Sequence, residues 1–96
     1  MKEQYGVVLI GCGYIGEDHL SQIYYQENVH VVAVVAVDLE RARFLARKYG
    51  VEEFGTDYKS YLTREDVDVV IIATYVDSHL PIMKACVEAG KHLRSP

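Results

Sequence analysis

The sequence predicts an α/β fold: a doubly wound parallel sheet, with helices on both faces, that the chain leaves just after the start of a fifth strand. Three observations carry this. The apolar segments are continuous runs of strand length, such as "VHVVAVVAV", and not the alternating pattern of a half-exposed sheet. Between them the apolar residues recur at helical spacing. At the joints stand glycines and aspartates, the residues that turn strands and cap helices.

Taken in order, Tyr5 to Ile10 is the first strand, and it ends at Gly11. Gly16, Leu20, Ile23 and Tyr24 then mark a helix over Tyr14 to Gln26, broken by Asn28. Val29 to Val37 is a valine-rich second strand, closed by Asp38, which caps the helix bearing Ala42, Leu45, Ala46 and Tyr49 on one face; Gly50 stops it. "VEEFGT" is a short third strand and "DYKSYL" a short helix opened by Asp57. Asp66 to Thr74 is the fourth strand. Asp77 or Ser78 caps a last helix with Pro81 in its first turn and a stripe of Ile82, Ala85, Cys86 and Ala89, and Gly90 ends it. "KHL" begins the fifth strand. Strict alternation of this kind implies parallel strands joined by right-handed crossovers.

The bulk properties narrow the function. The 96 residues make one domain, 1–96, with 50% apolar and 25% charged residues, as expected of a globular protein. A net charge of −4 argues against a nucleic-acid partner, since phosphates need clustered cations. Arg41, Arg43, Arg47 and Lys48 do cluster, and read as the solvated face of their helix. No apolar run approaches the ~20 residues of a membrane span, and no signal peptide is visible. Cys12 and Cys86 are distant and sit in apolar surroundings, which suits reduced thiols in a cytoplasmic protein; neither they nor His19, His30, His79 and His92 form a metal-ligand spacing.

The chemistry-bearing stretch is "LIGCGYIGEDHL", in which Gly11, Gly13 and Gly16 form the G-x-G-x-x-G spacing between a strand and a helix. Gly11 turns the chain off the strand, Gly13 lets the backbone approach a pyrophosphate, and Gly16 lets the helix pack closely on the sheet. The helix N-terminus offers N–H donors and partial positive charge. Asp38, ending the second strand, stands where a carboxylate holds the adenosine ribose of a dinucleotide. Such an acid repels a 2′-phosphate and favours NAD; Arg41 and Arg43 are near enough to keep NADP as the alternative. The competing reading is a tight strand–helix joint with Asp38 as a cap only. The cofactor-binding set is therefore Gly11, Cys12, Gly13, Tyr14, Ile15, Gly16 and Asp38.

These motifs, with "VVAVVAVDLERARFLARKYG", "DVDVVIIAT" and "SHLPIMKACVEAGKH", make a set that resembles the N-terminal Rossmann domain of the Gfo/Idh/MocA family, the glucose–fructose oxidoreductases and inositol dehydrogenases. The resemblance covers essentially the whole chain, and His19 matches a histidine after the family's last glycine. It implies NAD(P) as cofactor, adds Thr74 and His79 to the binding set, and implies hydride transfer between nicotinamide and a sugar- or polyol-type substrate. Two departures are clear. Ala73-Thr74-Tyr75-Val76 stands where the family commonly has Ala-Thr-Pro-Asn, and Leu93-Arg94-Ser95-Pro96 stands where its Glu-Lys-Pro, with a catalytic lysine, would follow. No catalytic residue is assigned, and the family's substrate domain is absent from these residues.

Among the remaining residues, His19 and His79 suit helix positions as well as functional ones, and Asp77 is more simply a cap than an acid–base partner of His79. Tyr24, Tyr25, Tyr58 and Tyr61 are expected at the sheet's flanks, and Glu52 and Glu53 in a solvated loop. Three functional readings stay open: the cofactor domain of an oxidoreductase, not catalytic alone; a non-catalytic nucleotide-binding module with a regulatory or oligomerisation role; or a shortened relic with no retained function. A fourth strand left poorly covered would also expose a sheet edge, so homo-oligomerisation through that edge is expected.

Overall fold

A computed structural model of the chain describes residues 4–11, 13–73 and 76–94. Five strands form one sheet in the order β3-β2-β1-β4-β5: β1 is Tyr5–Ile10, β2 Val29–Val35, β3 Glu53–Gly55, β4 Val69–Ile72 and β5 His92–Arg94. All four pairings are parallel. The helices α1 (Tyr14–Ile23), α2 (Leu39–Tyr49), α3 (Lys59–Leu62) and α4 (Val76–Glu88) alternate with them, as the sequence pattern requires.

Continuous apolar strands are needed because each feeds two cores. Val7 and Leu9 of β1 pack with Leu20 of α1 and with Ala42, Leu45 and Ala46 of α2. Val8 and Ile10 face the other way, toward Tyr61 and Leu62 of α3 and Ile82 and Cys86 of α4. Leu9, Leu20 and Leu45 are fully buried, each worth about 2 kcal/mol in surface removed from water. In β2 the alternation breaks, because Val7 pairs with Val31 and Val8 with Ala33. The extra residue, Val32, is a bulge that places Val32 and Ala33 in the same core.

The boundaries differ from the sequence expectation in physically traceable ways. β2 ends at Val35, its pair with Ile10, since Gly11 turns β1's chain away; Val37 lies beyond the sheet, 98% exposed. α1 ends at Ile23, where Tyr24 donates its N–H to the Leu20 carbonyl. β4 starts at Val69, because the aspartates before it do other work: Asp66 pairs with Arg64 at 2.6 Å, and Asp68 Oδ2 accepts the Gly6 N–H at 2.9 Å. α4 starts at Val76, so Asp77 and Ser78 lie inside its first turn and not at its cap. Pro81 falls in the second turn, where its ring suits the helical φ and its missing N–H costs one bond, to the Asp77 carbonyl.

The fourth strand is better covered than expected. β5 pairs with Val69, Val70 and Ile71, so the sheet edges are β3 and β5, each three residues long. Lys91 secures this side by donating from Nζ to the carbonyls of Arg64 at 2.7 Å and Val67 at 2.6 Å. Near the start of β1, Gly6 lies so close to that same loop before β4 that a Cβ there would collide with the Asp66 carbonyl oxygen. Gly6→Ala is therefore expected to destabilise the fold by about 1–3 kcal/mol, the usual cost of overpacking, read as a lower urea midpoint with unchanged slope.

Candidate dinucleotide site

The sheet order reverses direction between β1 and β4, and in open parallel sheets the crevice outside the carboxyl ends of the strands at that point is where ligands bind. The glycine turn lies there. Gly11 leaves β1 with φ 103°, a conformation side chains rarely adopt, while its N–H still bonds the Val35 carbonyl at 2.7 Å. On the other flank Ala73 N–H bonds the Ile10 carbonyl at 2.7 Å, which continues the β1–β4 ladder up to the crevice.

The other two glycines have opposite surroundings. Gly16 is buried in the first turn of α1, where a Cβ would collide with the Gly11 carbonyl oxygen and stand 3.7 Å from the Ala73 Cβ. Gly13 is exposed, and a Cβ there would meet nothing within 4 Å. It is the N-cap of α1 and supplies no side-chain cap; its carbonyl accepts the first helical bond, from Glu17 N–H at 2.9 Å. The leading N–H groups of a helix have no partner within it, so the turn presents donors and helix-dipole charge to an open space. That combination, a filled cradle under Gly16 and open space over Gly13, fits a bound pyrophosphate.

Asp38 follows the end of β2 on the same side of the sheet and remains exposed. Its Oδ1 accepts the N–H groups of Glu40 at 3.0 Å and Arg41 at 3.4 Å, so the carboxylate caps α2. Val37 and Leu39 beside it are both exposed. Ile15, on α1, is 57% exposed, and His19 is half-buried farther along the same helix. Cys12 and Thr74 lie outside the described residues, as do the side chains of Tyr14 and His79; the backbone of the last two begins α1 and sits within α4.

One residue at the site escapes sequence reasoning. Glu17, directly after Gly16, joins α1 to α2: its Oε1 accepts from Arg41 Nη2 at 3.0 Å, and its Oε2 from Lys48 Nζ at 2.7 Å and Tyr49 Oη at 2.9 Å. Its partners lie 24 to 32 positions away, so no local pattern announces them. Chiefly the Lys48 and Tyr49 donors, with Arg41, hold the Glu17 carboxyl below its ordinary value of 4.5, and Glu17 in turn raises Lys48. Desolvation first, and then Glu17, push the Tyr49 hydroxyl up. Of the arginines near Asp38, Arg43 pairs with Glu40 at 3.5 Å, and Arg41 lies 5.2 Å from the Phe44 ring centroid as well as on Glu17.

Elsewhere the chemistry is structural. Cys86 is a free, fully buried thiol whose ionisation burial opposes. Among the described residues no three His, Cys, Asp or Glu gather as metal ligands, and no helix is long and apolar enough to cross a membrane. A depression of about 450 Å³ lies along α2, lined by Glu40, Arg43, Phe44, Arg47 and Lys48.

Comparisons with known proteins agree with this geometry. The family model for Gfo/Idh/MocA, an oxidoreductase family with an NAD-binding Rossmann fold, matches residues 5–94. A 4-carboxy-2-hydroxymuconate-6-semialdehyde dehydrogenase from Sphingobium is 38% identical over 92% of this chain and 28% of its own length. Inositol 2-dehydrogenase 4 from Saccharopolyspora erythraea is 37% identical over 88% of this chain and 25% of its own. GenD2 from gentamicin A biosynthesis, solved in complex with NAD, superposes with a TM-score of 0.92 at 27% identity, over 99% of this chain and 27% of that one. A 3-ketoreductase from Actinomadura kijaniata, solved with NADP, gives 0.86 at 26%, over 96% and 29%. The chain thus spans about a quarter of the length of its relatives.

Because the folded-state pKa of Glu17 is lowered, its contribution to stability is complete above the unfolded value of 4.5 and is lost as pH falls through the lower folded value. Glu17→Gln is accordingly expected to lower the urea midpoint at pH 7, with the difference from wild type vanishing in strong acid.

Proposed function

Because the chain belongs to the Gfo/Idh/MocA oxidoreductase family, as its NAD-binding Rossmann domain, we propose that residues 1–96 act as one cofactor domain that binds NAD in preference to NADP. The pyrophosphate rests on the Gly11–Gly16 turn and the Asp38 carboxylate accepts from the adenosine ribose; Thr74 and His79 lie toward the nicotinamide, as the family resemblance implies. The observation that carries this reading is the contrast between Gly16, whose Cβ space is filled by backbone, and Gly13, whose Cβ space is open. A joint that was merely tight would need the first glycine and not the second.

When bound, the nicotinamide supplies hydride chemistry; this domain's part is to bind and orient it. The relatives' names point to polyol and aldehyde substrates, and the chemistry we assign is hydride transfer on a sugar- or polyol-type substrate. No described residue is given a catalytic role. A non-catalytic regulatory or oligomerisation module is the second reading. Steady NADH production from sugars or polyols by this chain would overturn it. Association between copies would use β3 or β5 as the pairing edge and shows in light scattering.

Calorimetric titration tests the cofactor reading. NAD is expected to saturate the chain, and Gly13→Val to remove most of that binding at only a modest cost in thermal midpoint, because a Cβ there meets no atom within 4 Å and the loss is that of a poorer N-cap residue. Absence of saturation at millimolar NAD, or a variant that binds as wild type does, sinks the proposal.

A further inference from the structure

On the proposed reading the acid at position 38 repels a 2′-phosphate, and an arginine beside it has the opposite tendency. Arg41 shares the first turn of α2 with Asp38, three positions on, and so lies within about 60° of it around the helix axis. An arginine there is placed to reach the group that distinguishes NADP from NAD. Arg43, about 140° from Asp38 by the same geometry, is not. Yet the Arg41 guanidinium is drawn over to α1, where Glu17 Oε1 accepts from Nη2 at 3.0 Å, and it lies over the Phe44 ring.

We propose that Glu17 is a specificity-determining residue for the dinucleotide, which keeps the Arg41 guanidinium in the α1–α2 seam and away from the ribose end of the site. The inference rests on Asp38 meeting the adenosine ribose. Glu17 acts through Arg41 and is a positioning residue. Lys48 and Tyr49 fix its other oxygen, at 2.7 and 2.9 Å, so the carboxylate has little freedom to follow Arg41 if that side chain swings out. With Glu17 also standing in the first turn of the helix that receives the pyrophosphate, its pairing with two cations removes a negative charge that would otherwise oppose the ligand.

The test is the ratio of NAD to NADP affinity, measured by calorimetry on the full chain. Glu17→Gln replaces the ion pair that draws Arg41 to α1 with a neutral amide acceptor, and is expected to raise NADP affinity relative to NAD by up to about fivefold, the scale of one exposed ion pair. Adding Arg41→Ala to that variant is expected to abolish the gain. A Glu17 that merely stabilised the fold would move both cofactors together, and an unchanged ratio overturns the proposal. Arg41→Ala alone provides the arm that does not depend on Glu17→Gln folding. It is expected to leave the ratio where it is, whereas a selective loss of NADP affinity would show Arg41 already engaged with the 2′-phosphate and overturn the idea. Failure of the wild type to bind NAD at all is a different result, which overturns the cofactor reading beneath it.

Discussion

The first turn of α1 rests against the carbonyl of Gly11, and only a residue without a Cβ can stand at position 16. This contact fixes where the helix starts relative to the end of β1, and the remaining geometry of the crevice depends on it. With Gly16 seated, Gly13 is held at the exposed lip of the turn and the helix axis points its dipole at the space between β1 and β4. A larger residue at 16 would lift the helix from the sheet and move the donors with it. The two demands, close packing below and open space above, are met by residues of the same type for opposite reasons.

The second organising element is electrostatic, and it lies across the helices. The α2 face nearest α1 carries Arg41 and Lys48, and Glu17 is the carboxylate that meets both. Individual exposed ion pairs contribute little, but here one acid accepts from three donors at the first and last turns of α2, about two turns apart, which pins the two helices together at both ends of the contact. Tyr49, packed edge-on against Tyr24 at 5.0 Å, extends the same seam with ring contacts. The seam thereby ties the helix that begins at the glycine turn to the helix that begins at Asp38.

Much of this is legible in the sequence. Continuous valine and isoleucine runs can only be strands buried on both sides, and Val8 and Val7 do feed opposite cores. Gly50 as a helix stop also follows from local chemistry, and it takes the left-handed conformation expected of it. What was not legible depends on distant partners. Asp68 reads as part of a strand until Gly6, 62 positions away, offers its N–H. Glu17 reads as one more polar residue on an amphipathic helix. The bulge at Val32 cannot be seen in an unbroken apolar run, because a shift of phase changes nothing where every residue is apolar. Pro81 shows the opposite failure: a local rule placed it in the first turn, but the helix began early enough to put it in the second.

Asp38 is where the competing readings of the sequence converge. A helix cap and a ribose acceptor read as alternatives in the sequence, since one explains the aspartate without any ligand. In the structure the cap uses a single oxygen, Oδ1, held by two backbone N–H groups. Fixing one oxygen fixes the plane of the carboxylate, and a carboxylate has acceptor capacity left on its second oxygen. The cap therefore does not compete with recognition. It removes the rotamer freedom that a free aspartate would lose on meeting a ligand, and it sets the charge at the end of β2, in register with the glycine turn at the end of β1.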